Sequence, residues 1–207
     1  SLMGEYAATA DFSTFLAKGQ DGIRNDLAGL AGKRFVVSIE VEEGRRLAET
    51  LVKQVTGSDT IAARFLHREF FEFRPAFKLW MAANHMPVIK GRDHALWRRI
   101  RLIPFNIVFS DDRQDKELGD KLQEEQSGVL NWGVGGCLLW QLNGLNPPEE
   151  VRAATGQYRQ EMDTVSVFIK ECCVTGTGEV GVGALYKVYR EWAGKGAVTL
   201  RRFGETL

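Results

Sequence analysis

Two polar residues, Glu40 and Asn84, each follow a short apolar run of the chain. The run 35–39 is followed by Glu40, and the run 77–83 is followed by Asn84. Nearly continuous apolar runs of this length favour buried parallel strands covered on both faces, although short buried helices share the pattern. In open α/β sheets, ligands lie beyond the carboxyl ends of the strands. The two runs therefore predict a carboxylate and an amide side by side at one candidate site.

An arginine pair, Arg98 and Arg99, follows the second run. Asp93 precedes the pair at the position of an N-cap, which predicts a short helix that carries both arginines. Adjacent arginines beside a strand often serve only as surface charge. The order of the surrounding elements favours more than a surface-charge role for the pair.

The elements between the two runs are predicted to be a helix and then a hairpin. Apolar residues recur at helical spacing over 45–55, and Lys53 lies off that apolar stripe. The segment 61–73 alternates loosely around a basic tip at His67 and Arg68, which predicts a β-hairpin.

The basic residues of this hairpin have two interpretations from spacing alone. In one, the basic tip at His67 and Arg68 reaches phosphate. In the other, Arg64, Arg68 and Arg74 form a solvated strand face. The spacing favours neither interpretation.

The chain after Phe105 is predicted to be mostly helical. One helix carries Leu118 and Leu122, and a second spans about 128–143 and ends before Gly144. Because apolar residues surround most of the second helix, we expect it to be buried. A third helix opens at Pro147-Pro148 and runs to about Met162.

The last part of the chain is predicted to hold short helices. A helix follows Asp163, a glycine-rich loop with a short strand spans 175–183, and another helix covers 184–193. Thr199 suits the N-cap of a final helix that carries Arg201 and Arg202. Helix, turn and helix in this order fit a winged-helix module or a generic three-helix packing module.

Composition limits the classes of function. Lys plus Arg and Asp plus Glu number 27 each, so the net charge is near zero and any DNA site must be a local basic patch. Three cysteines without a C-x-x-C pair argue against a disulfide framework and a zinc site. The sequence has neither a membrane span nor a signal peptide, which favours the cytoplasm.

In their order and spacing these residues resemble the helicase region of the phage and plasmid primase-helicase family. This family includes the poxvirus-type primase-helicases and belongs to the superfamily-three helicases of the AAA+ class. The resemblance covers most of the chain and rests on the following stretches: 33–37 leading to Glu40, Lys53 with 56–59, Ala63-Arg64, 72–75, Lys78-Leu79, 84–87, 97–100 and 103–105.

The resemblance implies a role for each residue of the ATP site. Glu40 would be the acidic Walker B residue that holds magnesium or polarises the attacking water, and Asn84 would be the sensor of the γ-phosphate. Arg98 or Arg99 would be the arginine finger that enters the ATP site of a neighbouring subunit. ATP and magnesium would be cofactors of the parent protein, and Glu40 would bind the magnesium.

The resemblance also implies partners. Lys53, with Arg64, His67 and Arg68 on the hairpin, would face single-stranded DNA in a central channel, and Arg201 and Arg202 are further candidates for DNA contact. The parent would be a homo-oligomer, by resemblance a hexameric ring, with no membrane partner. Whether a primase domain lies upstream stays open, and so does which arginine is the finger.

One motif of the family is missing from the sequence. The phosphate-binding loop G-x-x-x-x-G-K-[ST] does not occur, because neither Gly32-Lys33 nor Gly194-Lys195 is followed by Ser or Thr. Without that loop the phosphates of ATP have no cradle of backbone N–H groups. We therefore expect a fragment of a replicative helicase, cut after its Walker A helix, that binds no cofactor and hydrolyses ATP negligibly.

The expected fold is α/β: a partial P-loop sheet of the AAA+ type with a β-hairpin insert, then a helical segment and a truncated winged-helix-like end. The expected domains are 1–110 for the ATPase core, 111–162 for a helical lid or collar, and 163–207 for the winged-helix-like part. Two alternatives remain: a non-catalytic DNA-binding and oligomerisation module, and a helix-turn-helix regulator that reads bases with Arg201 and Arg202.

Overall fold

The computed structural model describes residues 2–17, 24–39, 43–90, 93–174 and 176–207. These residues form two compact units. One unit combines Glu5–Ile100 with Gly156–Leu207, and the other consists mainly of Arg101–Thr155. All strands and most candidate site residues belong to the first unit.

The strands of the described residues form a mixed α/β arrangement with a small parallel sheet. They are β1 (Ala7–Thr9), β2 (Phe35–Ile39), β3 (Ile61–Ala63), β4 (Phe71–Phe73) and β5 (Lys78–Ala82). Strands β1, β2 and β5 pair in that order, and both pairings are parallel. Strands β3 and β4 form an antiparallel pair. The predicted parallel sheet and hairpin are therefore confirmed, with the sheet limited to three strands in the described residues.

Among the described residues, one face of the parallel sheet is covered and the other is largely open. Val36 and Ser38 are fully buried on that face, where Phe12 and Leu16 pack against Met81. On the opposite face Ile39 is 58% exposed and Trp80 is 49% exposed. The prediction that both faces are covered is wrong for the described residues, because an apolar run shows what a strand can bury and not whether a covering element is present.

The described residues form nine α-helices. They are α1 (Asn25–Ala28), α2 (Glu49–Val55), α3 (His94–Trp97), α4 (Leu118–Glu124), α5 (Gln126–Asn143), α6 (Glu149–Glu161), α7 (Thr164–Cys172), α8 (Val182–Ala193) and α9 (Leu200–Gly204). The carboxylate of Asp93 caps α3 and the hydroxyl of Thr199 caps α9, as predicted. Helix α2 begins later than predicted, because Leu47 is held in extended backbone by bridges to neighbouring segments.

Helix α5 differs from its prediction in burial. Its bounds agree with the predicted helix, and it ends at Gly144, whose φ of 70° is in the region that favours glycine. Its side chains are nevertheless exposed, including Trp132 at 82% and Leu142 at 81%. The prediction of a buried α5 is wrong for this chain, because a helix that is apolar on every side needs partners on several sides and its described unit provides mainly α4.

Helices α7, α8 and α9 share one aromatic core. Val165, Phe168, Tyr189 and Phe203 are buried together, and the rings of Tyr189 and Phe203 lie 4.8 Å apart. The Tyr189 hydroxyl is 2.7 Å from the Thr164 hydroxyl and accepts the Val198 N–H at 3.1 Å. The short strand predicted within 175–183 is absent from 176–183: residues 176–181 form a loop, and α8 begins at Val182.

In the unit around Arg101–Thr155, residues 101–110 form neither a helix nor a strand. Phe105 is 94% exposed and Val108 is 90% exposed. Leu102 N donates a hydrogen bond to the Thr155 hydroxyl at 2.9 Å. Among the described residues, no helix combines the length and apolarity that a membrane crossing requires.

Candidate functional site

The carboxyl edge of the sheet carries the first candidate residues. Strands β2 and β5 run parallel in a register that places Ile39 opposite Ala82. Asn84 lies two residues beyond Ala82 and is exposed. Glu40 follows Ile39 in the sequence and lies outside the described residues. The strand ends that precede Glu40 and Asn84 are therefore neighbours, as the sequence predicts for a shared site.

A connecting segment, residues 87–90, joins the Asn84 turn to the region of the arginines. Val88 forms backbone hydrogen bonds with Arg45 and Leu47, at 2.8 and 3.0 Å. Lys90 N donates to the Glu49 carboxylate at 2.9 Å, and Ile89 is only 1% exposed. The connecting segment is therefore fixed to the start of α2 and does not form a loose loop.

Helix α6 fixes the same segment from another direction. The Tyr158 hydroxyl donates a hydrogen bond to the Pro87 carbonyl. The Tyr158 and Trp97 rings pack edge to face, with their centroids 5.2 Å apart. Tyr158 is 4% exposed, and burial raises the pKa of its phenol, so the hydroxyl stays protonated as a donor. One buried side chain thus contacts both the connecting segment and α3.

We expect Tyr158→Phe to lower the free energy of unfolding by about 1–3 kcal/mol, because the Pro87 carbonyl loses a buried donor. Urea unfolding followed by circular dichroism measures the change. Tyr6→Phe is the matched control, since Tyr6 is 60% exposed, and it should shift stability by less than about 0.5 kcal/mol. Equal free energies of unfolding for the Tyr158→Phe variant and the unaltered chain would contradict a stabilising role for this hydrogen bond.

Asp93 connects α3 to α2. Its Oδ1 accepts the Ala95 N–H at 2.8 Å as the helix cap, and its Oδ2 accepts a hydrogen bond from Lys53 Nζ at 2.8 Å. The hydrogen bond from Lys53, then that from the Ala95 N–H, lower the pKa of the Asp93 carboxyl below its ordinary value. Lys53, predicted to bind DNA, thus lies in an ion pair beside the helix that leads to the arginines.

We expect Lys53→Met to raise the pKa of Asp93, because the largest cause of the lowered value is removed. Because the pKa of Asp93 is lowered in the folded state, its ionised carboxylate stabilises the folded protein at pH values above the ordinary pKa near 3.8. This stabilisation is lost as the pH falls through the pKa of the folded state. Carboxyl titration by NMR measures the shift. Lys33→Met is the control, since Lys33 Nζ contacts the Glu5 carbonyl instead; an unchanged Asp93 pKa in Lys53→Met would contradict the assigned cause.

The two arginines have different surroundings. Arg98 is the C-cap residue of α3 and is exposed. Helix α3 ends at Trp97, before both arginines, so the predicted helix that carries them is shorter than expected. Arg99 is half-buried, and its Nη1 donates a hydrogen bond to the Ala95 carbonyl of α3. The Arg99 guanidinium therefore gives up an intramolecular contact if it is to reach another molecule.

The hairpin candidates lie at the tip between β3 and β4. His67 and Arg68 are exposed, and His67 has a φ of 60°, which is uncommon for a residue with a side chain. Arg64 is half-buried, with its guanidinium carbon 4.6 Å from the centroid of the Phe70 ring. The exposed polar groups of the tip can therefore meet a phosphate backbone, while Arg64 contacts its own hairpin.

Helix α9 carries the last two candidates, and both make contacts within the chain. Arg201 Nε lies 2.9 Å from Glu205 Oε1 one turn later. Arg202 Nη2 donates a hydrogen bond to the Lys90 carbonyl, at the end of the connecting segment. The structure thus brings Lys53, Arg99 and Arg202 to elements that adjoin the connecting segment, whereas Arg64, His67 and Arg68 lie on the hairpin.

Metal binding by the described residues is limited. They contain no group of three or more His, Cys, Asp or Glu side chains that could hold a metal ion. Glu40, to which the family resemblance assigns magnesium, lies outside the described residues. Carboxylate and amide oxygens are suitable ligands for magnesium, either directly or through water.

Two features of the structure were not predicted from the sequence. Tyr158 was given no role, although its spacing from Val151 places both residues on one face of the predicted third helix. The exposed aromatic residues of the hairpin tip were treated as strand alternation only. Their place beside Arg64, His67 and Arg68 was the signal that could have separated them from a core pattern.

The chain is similar to viral proteins that are named as putative helicases. No family model matches the chain. A protein of Acanthamoeba polyphaga mimivirus, named as a putative helicase, is 30% identical over 194 residues, which cover 81% of this chain and 20% of that protein. A protein of Frog virus 3, also named as a putative helicase, is 29% identical over 158 residues, 68% of this chain and 16% of its own length.

A third relative has the same kind of name. The protein of Invertebrate iridescent virus 6 is named as a putative helicase and is 31% identical over 98 residues, 45% of this chain and 10% of its own length. The chain thus spans at most about a fifth of the length of these curated relatives. The similarity supports a relation to helicases of large DNA viruses.

Proposed function

We propose that this chain is part of an ATP-dependent DNA helicase of the primase-helicase type, in which ATP is hydrolysed between subunits to move single-stranded DNA. Glu40 polarises the attacking water and holds the magnesium of ATP, and Asn84 contacts the γ-phosphate or that water. Arg98 or Arg99 reaches the ATP of a neighbouring subunit. The proposal extends to a ring-shaped homo-oligomer, in the cytoplasm of the host cell, that serves phage, plasmid or viral DNA replication.

The register of β2 and β5 is the observation that carries the proposal. It makes Ile39 and Ala82 neighbours at the carboxyl edge, so that residues which follow the two strands can act on one phosphate group. Phosphoryl transfer needs little covalent chemistry from the protein and depends on positioning and on charge at the transferred group. A polar residue after each of two adjacent parallel strands supplies that positioning.

The connecting segment gives this mechanism a physical route between Asn84 and the arginines. Residues 87–90 are held by α2, by Tyr158 of α6 and by Arg202 of α9. A displacement of Asn84 at the γ-phosphate would be passed to the connecting segment and, through Tyr158, to Trp97 of α3. We propose that ATP hydrolysis is communicated to α3 along this segment.

For the chain as printed, we expect negligible ATP hydrolysis, because the sequence has no phosphate-binding loop. Release of phosphate from ATP and magnesium is measured with and without single-stranded DNA. The chain extended upstream through the expected phosphate-binding loop is the positive comparison, and its turnover should rise on addition of DNA. Turnover by the printed chain itself would contradict this part of the proposal.

A second candidate is a non-catalytic DNA-binding and oligomerisation module. The missing phosphate-binding loop favours it for the chain as printed. The extended chain separates the two candidates, because a module of this kind would bind single-stranded DNA and stay inactive toward ATP. A helix-turn-helix regulator is less well supported, since the guanidinium groups of Arg201 and Arg202 both contact acceptors within the chain.

A further inference from the structure

The tip of the hairpin, residues 64–70, combines exposed apolar side chains with basic ones. Phe70 is 65% exposed and Leu66 is 57% exposed, although both follow β3, whose Ile61 and Ala63 are buried. His67 and Arg68 lie between them in the sequence and are exposed as well. An exposed aromatic ring beside cationic groups needs an explanation that a solvated strand face does not provide.

The tip is held in place by several contacts. The rings of Phe65 and Phe71 stack at a centroid distance of 5.9 Å, and the Arg68 N–H bonds the Phe65 carbonyl at 3.0 Å. Leu66 N donates a hydrogen bond to the Asn25 side chain at 3.2 Å, which ties the tip to α1. The exposure of Phe70 is therefore a feature of a fixed turn.

The Phe70 ring has one covered face. The Arg64 guanidinium carbon lies 4.6 Å from its centroid, and Arg64 Nε is buried without a hydrogen-bond partner among the described residues. Since Phe70 is still 65% exposed with Arg64 over one face, most of that exposure belongs to its other face and its edge. The guanidinium also supplies a positive charge beside the ring.

We propose that the open face of Phe70 stacks with a base of single-stranded DNA, while His67 and Arg68 contact the adjoining phosphates. This inference rests on the proposed function, which already places the hairpin on the path of the DNA, and it adds that the hairpin contacts bases as well as the backbone. The tip carries two arginines, Arg64 and Arg68, and a histidine, His67, against one acid, Glu69. This balance complements a polyanion, and every base offers a flat π-face to the ring.

Base stacking and phosphate contact differ in how they affect the salt dependence of DNA affinity and the affinity for a strand without bases. Loss of a phosphate contact reduces the slope of log affinity against log salt, whereas loss of a stacking contact leaves that slope unchanged. An oligonucleotide that lacks its bases can pair its phosphates with the protein but cannot stack. These two criteria distinguish Phe70 from Arg68.

The experiment measures binding of a fluorescent oligo-dT and of an abasic oligonucleotide of equal length by anisotropy, over a series of salt concentrations. We expect Phe70→Leu to weaken oligo-dT binding roughly tenfold with an unchanged salt slope. Its binding of the abasic strand should equal that of the unaltered chain. Arg68→Ala should weaken binding of both strands and reduce the salt slope by about one.

Two further variants control for folding and for non-specific apolar contact. Phe70→Trp keeps a stacking surface and should retain oligo-dT binding, with quenching of its fluorescence on addition of DNA. Phe105→Leu changes a ring that is 94% exposed and lies outside the hairpin, and it should bind both strands as the unaltered chain does. Circular dichroism establishes that each variant is folded.

The possible failures are distinct. If Phe70→Leu binds oligo-dT as tightly as the unaltered chain, the stacking inference is wrong while the proposed function stands. If Phe70→Leu changes only the self-association seen by sedimentation, the ring contacts a second copy of the chain and the inference is also overturned. If the unaltered chain binds neither oligonucleotide, the inference fails together with the proposed role of the hairpin in DNA binding.

Discussion

Replacement of Arg98 or Arg99 by alanine in the extended chain is expected to reduce DNA-stimulated ATP turnover by roughly a thousandfold, which is the usual scale for an arginine finger. The expected cause is the loss of positive charge at the phosphoryl group in the transition state. We expect the larger loss from Arg98→Ala, because Arg98 is exposed whereas Arg99 is half-buried. Steady-state phosphate release measures both variants.

The controls for this prediction separate chemistry from folding. Nucleotide affinity, measured with a fluorescent ATP analogue, should stay close to that of the unaltered protein. Arg98→Lys should restore little activity, since lysine lacks the planar guanidinium fork. Arg113→Ala removes an arginine that contacts Phe109 and should leave turnover unchanged. Full activity of both alanine variants at positions 98 and 99 would exclude the pair from the ATP site.

Glu40→Gln in the same extended chain is expected to lower turnover by about two to four orders of magnitude while ATP still binds. Glutamine keeps the size of the side chain and loses the negative charge that polarises water and attracts magnesium. The measurement is single-turnover hydrolysis of bound ATP. A burst of product equal to that of the unaltered protein would refute the assignment of Glu40.

A neighbouring carboxylate provides the matched control for Glu40. Glu43 lies three residues later in the sequence, is exposed, and has no assigned role. Glu43→Gln should hydrolyse ATP at the unaltered rate. Equal losses in both variants would point to the net charge of this stretch and not to a reacting group at Glu40.

Local sequence signals predicted most of the elements around the site. The Asp93 cap was predictable because the capped N–H belongs to Ala95, two residues away. The parallel β2 and β5 were predictable because each strand is a short apolar run that ends in a polar residue. These features depend on backbone chemistry within one or two turns of chain.

Contacts between distant parts of the chain could not be predicted in this way. Lys53 and Asp93 are 40 residues apart and Tyr158 and Pro87 are 71 residues apart, and no periodicity signals either pairing. Lys53 was predicted from resemblance to face DNA, and the structure adds an ion pair that such a role has to accommodate.

Burial was the least predictable property. Helix α5 and the open face of the sheet have the composition of buried surfaces, yet Trp132 and Trp80 are exposed in this chain. Composition records how much apolar surface an element carries, and the covering partner has to come from another segment or another molecule. The sequence of the element alone cannot identify that partner.

A mixing experiment tests the central claim, an ATP site shared between subunits, most directly. Extended chains that carry Glu40→Gln are mixed with extended chains that carry both Arg98→Ala and Arg99→Ala, and each preparation alone should be inactive. In an equal mixture about a quarter of the interfaces of a closed ring regain an intact Glu40 and an intact arginine pair, so turnover should recover to roughly that share. A mixture that assembles into rings and stays as inactive as its components would contradict the shared site.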